Sequence, residues 1–100
     1  MATKASISKR FNEALRKLDT TIARLAELER DDRSRYGAYK DEGIDYAPGV
    51  AATLSRRISF FEARRRTQAL ACIKAHDRCL AAGVETKPSF DRTAVQKLLQ

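Results

Sequence analysis

Tryptophan is absent from this 100-residue chain; histidine and methionine occur once each, proline and cysteine twice, glycine four times. Each scarcity removes a class of structure or chemistry. An all-β sandwich or barrel needs turn residues at short, regular intervals, and six Gly and Pro cannot supply them. A lone histidine, with no Ser or Cys elbow beside it, leaves no nucleophile, base and orienting group to assemble, and no Gly-rich loop is present to cradle a phosphate. A non-catalytic protein without a cofactor is expected. Cys72 and Cys79 stand seven positions apart in a helical pattern, about 10 Å along the axis, so they cannot bridge each other within one helix. That predicts reduced thiols and an intracellular setting. There is no run of 18 apolar residues and no apolar signal core at the start, so a soluble, cytoplasmic protein is expected.

What the chain does contain favours helix. Apolar residues make up 43% and charged residues 33%, and Ala, Leu, Arg, Lys and Glu dominate. This length fits a single domain over residues 1–100. The formal net charge is +7, and residues 50–83 concentrate it, with seven Arg and Lys against two acids. A basic helical surface attracts polyanions: nucleic acid, an anionic membrane or an acidic protein.

Periodicity predicts an all-α fold built on a long antiparallel hairpin. Phe11, Leu15, Leu18, Ile22 and Leu25 recur at helical spacing, giving a first helix at about 6–36 that opens on Thr3, Ser6 or Ser8 and stops near Gly37. Residues 37–49, with two further glycines and Pro48, read as a long connection carrying Tyr39 and Tyr46 as possible recognition contacts. A second helix follows at about 50–82. Its core face reads Leu54, Ile58, Phe61, Arg65, Ala69, Cys72, His76 and Leu80, ending before Gly83. Arg65 falls mid-face, where a charge needs a partner; Asp19 and Glu29 are the candidates in an antiparallel hairpin. Phe90, Asp91 and Val95 have the spacing of a hydrophobic staple around an N-cap, opening a short helix at about 91–99. Two long helices share one interface, so self-association into a bundle is expected to cover their remaining flanks.

The chemistry-bearing residues gather on the second helix. Arg56, Arg57, Phe60, Arg64, Lys74 and Arg78 fall in an arc of about 100° opposite its core stripe. Long cations in such an arc can track a phosphate backbone, and an aromatic ring among them can stack on an unpaired base. The competing reading makes the arginines a solvated face and packs Phe60 against Val95, Leu98 and Leu99 or against a second subunit. Cys72, His76 and Cys79 form a C-x3-H-x2-C run, but positions seven apart on a helix place their sulfurs too far apart for one zinc, so no metal site is expected. The acids of the connection lack the spacing of a calcium loop, and the basic arc lacks the apolar strip of a membrane-surface helix. The sequence therefore points to nucleic-acid backbone as partner. The alternative is a protein-interaction module whose basic face and tyrosines dock on an acidic protein.

Overall fold

The computed structural model describes the backbone of residues 3–41, 48–86 and 90–100, and side chains within 3–30, 53–86 and 90–100. It consists of α1 (Lys4–Asp41), α2 (Pro48–Ala82) and α3 (Arg92–Lys97), with no strand among the described residues. α1 and α2 pack along each other as a hairpin and α3 folds back onto α2. The molecule measures 60 × 23 × 21 Å with a radius of gyration of 18.1 Å, well above the roughly 13 Å of a compact chain this long. It is a rod, and most of each long helix faces outward.

Local chemistry sets the helix ends. Thr3 caps α1, its Oγ1 accepting from the Ser6 amide at 3.1 Å. α1 then runs past Gly37, where the sequence predicts its end, to Asp41. A helical glycine costs only about 1 kcal/mol against alanine, and no proline follows until Pro48. Tyr39 therefore belongs to α1 and not to a connecting loop, while Tyr46 lies outside the described residues. α2 closes on Gly83, whose φ of 69° suits a residue without a Cβ. The Val84 amide reaches back to the Cys79 carbonyl at 2.9 Å and the Gly83 amide to the Leu80 carbonyl at 3.2 Å, the paired bonds of a Schellman cap. Asp91 caps α3, accepting from the Ala94 amide at 3.1 Å, and Phe90 and Val95 meet in the core as the staple requires.

The interhelical seam is rotated from the expected one. On α1 the buried residues are Phe11, Leu18, Thr21, Leu25 and Leu28, so Thr21 takes the place expected for Ile22, which is 38% exposed. Leu15 packs against the core cluster beside Val95, Leu98 and Leu99, and Ile22 lines the recess next to α3. The apolar stripe of α1 is broad because it serves two neighbours. On α2 the seam runs through Ala69, Cys72, Ile73, His76 and Cys79, and Leu80 is exposed. Two successive steps of four residues carry position 80 about 80° off a seam that alternating steps of four and three keep in place.

Among the described residues, one buried side-chain polar atom is without a partner. The Thr21 hydroxyl bonds the Gln68 amide across the helices. The amide orientation that satisfies both of its ends also donates to the Lys17 carbonyl at 3.2 Å and accepts from Arg64 Nε at 3.3 Å. Buried Nε of Arg65 has no partner. Neither Asp19 nor Glu29 pairs with it, and Asp19 instead lines the recess on the α3 side. Arg65 is half-buried along the seam, so the stem and the Nε end of its guanidinium are covered.

Candidate functional site

α2 brings all six predicted contact residues to the surface. Arg56, Arg57, Phe60, Arg64, Lys74 and Arg78 are each exposed. Phe60 is 59% exposed and so does not pack on Val95, Leu98 or Leu99; its ring stands edge-on to Phe61 at 5.3 Å and 84°. Phe61 is half-buried and lines a recess shared with α1. None of the five cations makes an ion pair among the described residues, where the pairs formed are Arg24 with Glu27 and Arg92 with Asp77. Of the α2 acids, Glu62 lies on the opposite side of the helix, and Asp77, beyond the edge of the basic arc, pairs with Arg92. The face is uniformly positive, with one flat apolar ring standing in it.

The hairpin adds cations that the α2 pattern does not reveal. A shallow recess of about 320 Å³ between the long helices is lined by Arg16, Lys17 and Arg24 of α1 and by Phe61, Arg64 and Gln68 of α2. A second recess, toward the other end of the same flank, is lined by Ile7 and Arg10 of α1 and by Ala75 and Arg78 of α2. Arg64 and Arg78 thus stand where the outer face of α2 turns into the groove. The signal for the α1 residues was present in the sequence as the heptad spacing of Arg10, Lys17 and Arg24.

The cysteine and histidine run plays another part. Cys72 and Cys79 are free, fully buried thiols. Burial, helped by the nearby Asp19 carboxylate, pushes the Cys72 pKa up to about 11, and burial raises that of Cys79 as well. Both are held as uncharged thiols and are poor nucleophiles. His76 packs between the rings of Phe11 (centroids 5.6 Å apart) and Phe90 (4.8 Å), and Arg92 Nη1 lies 2.7 Å from its Nδ1. These contacts join α1, α2 and the segment leading to α3. No helix among the described residues is long and apolar enough to cross a membrane. The chain matches no protein-family model, no curated protein and no solved structure.

Proposed function

We propose that this protein binds nucleic-acid backbone, without chemistry and with little sequence preference, through the exposed face of α2. Arg56, Arg57, Arg64, Lys74 and Arg78 contact phosphates and Phe60 stacks on a base. The observation that carries the reading is the position of Phe60, edge-on to Phe61 and 59% exposed in a face of cations that form no ion pair among the described residues. An exposed aromatic ring among cations can stack on an unpaired base whose phosphates those cations meet. Phosphate contacts release counterions, so affinity falls steeply with salt. Neutralising Arg57 and Arg64 together flattens the slope of log affinity against log salt by up to about 2 units if each meets one phosphate. An unchanged slope rejects the assignment. Failure of the parent protein to bind any oligonucleotide at low salt directs the same face to an acidic protein instead.

A further inference from the structure

The two flanks of the hairpin differ. One is covered by α3, and the recess there is lined by Glu13, Asp19 and Asp91 together with Leu15, Ile22 and Leu98. No residue of α3 lines the two recesses on the opposite flank, and no carboxylate does either. Arg16 borders both sides; the other cations of the groove do not reach the α3 recess. Charge is therefore segregated across the long axis of the rod.

The open flank also has a repeat. Arg10, Lys17 and Arg24 lie seven residues apart on α1, and Arg57, Arg64 and Arg78 lie seven and fourteen apart on α2. Seven residues are nearly two helical turns, so each set forms a stripe along one edge of its helix. The helices are antiparallel, and the recesses fix their register: Arg10 shares one recess with Arg78, and Arg24 shares the other with Arg64. Each pair sets like charges across the same interface. Such pairs oppose folding, and Arg24 alone has a carboxylate beside it, the exposed Glu27 at 3.1 Å. From Arg10 to Arg24 the stripe extends about 21 Å.

We infer that this interhelical groove is a binding site for one single strand of nucleic acid, lying along the rod with its phosphates between the α1 and α2 stripes and a base on Phe60. The inference rests on the nucleic-acid reading above and moves the centre of its site from the outside of α2 into the groove. The α1 row repeats every seven residues and the α2 row keeps the same period with Ala71 in place of one cation, so two facing rows of positive charge complement a ligand charged along its length. Phe61 lines the groove while Phe60, edge-on to it, stands at the rim, within reach of bases carried by a strand in the groove. Stacking there requires an unpaired base, which a duplex does not offer, and the length of the groove suits the roughly 4–16 nucleotides that such sites cover.

The test is fluorescence anisotropy with a labelled oligothymidylate of about 12 nucleotides and a duplex of equal length, over a salt series. The parent protein is compared with the triple variant R10Q/K17Q/R24Q and the pair R57Q/R64Q. The triple variant is expected to melt no lower than the parent at low salt, because it loses mutual repulsion. It is expected to bind the single strand at least tenfold more weakly, with a salt slope shallower by about 2 units, since each phosphate contact on a single strand contributes about 0.7. Unchanged single-strand binding by the triple variant, alongside loss of binding by R57Q/R64Q, overturns the groove and leaves the α2 face standing. Tighter binding of the duplex by the parent overturns the single strand as ligand. No binding of either probe by the parent overturns both the groove and the reading on which it rests.

Discussion

Arg92 Nη1 lies 2.7 Å from Nδ1 of His76 while its Nη2 lies 2.8 Å from Asp77 Oδ1. A guanidinium can only donate, so this contact requires the lone pair of His76 on Nδ1 and its proton on Nε2. One arginine at the start of α3 thus grips two adjacent residues of α2. The imidazole is buried and the ion pair is half in water, so the imidazole bond carries more of the stability. Replacing Arg92 with alanine is expected to cost about 1–2 kcal/mol in urea unfolding and to loosen α3 first. A double-mutant cycle of Arg92→Ala with His76→Phe measures the coupling, and additivity of the two changes refutes the contact.

The Thr21–Gln68 bond is the polar tie across the middle of the hairpin. Thr21→Val keeps the shape of the side chain but removes one of the three partners of the Gln68 amide, at a cost of about 1 kcal/mol. Chemical denaturation of Thr21→Val, Gln68→Leu and the double variant checks this. The double variant is expected to lose less than the sum of the two single changes, because both remove the same Thr21–Gln68 bond.

Gly83 isolates backbone strain from packing. A Cβ at this position meets no atom within 4 Å, yet φ is +69°. Gly83→Ala is therefore expected to destabilise by about 1–2 kcal/mol through the left-handed conformation alone, with the fold unchanged. Thermal unfolding of the alanine variant at or above the parent midpoint contradicts the Schellman cap.

The buried thiols predict an alkaline limit. The folded Cys72 pKa, about 11, lies above its ordinary value of 9.0, so the unfolded chain ionises first. The stability contributed by the neutral thiol is complete below about pH 9 and is lost as pH rises toward 11. Comparing the parent with Cys72→Ala across that range tests the claim: their stability difference is expected to shift against the parent as pH rises. A thiol reagent at neutral pH is expected to react at the rate of global unfolding.

The hairpin and the α3 staple were legible in the sequence because helical periodicity and capping are local signals. Three other features were not. The end of α1 depended on whether a single glycine outweighs the surrounding helix formers, and one position cannot. Leu15 and Ile22 read as seam residues because an apolar side chain does not say which of two neighbours it meets, and the sequence does not say against which face α3 docks. Arg10, Lys17 and Arg24 attracted no attention because a cation every seventh residue looks like ordinary solvation. Antiparallel register places Arg10 in one recess with Arg78 and Arg24 in another with Arg64, and the proposed groove rests on that arrangement.

The measurement that tests the central claim most directly is a backbone NMR titration of the ¹⁵N-labelled protein with oligothymidylate at low salt. The account predicts shifts along the two basic stripes, Arg10, Lys17 and Arg24 with Arg57, Arg64 and Arg78, and at Phe60, while Asp19, Asp91 and α3 stay still. Shifts centred on the α3 flank, or none on either stripe, contradict it.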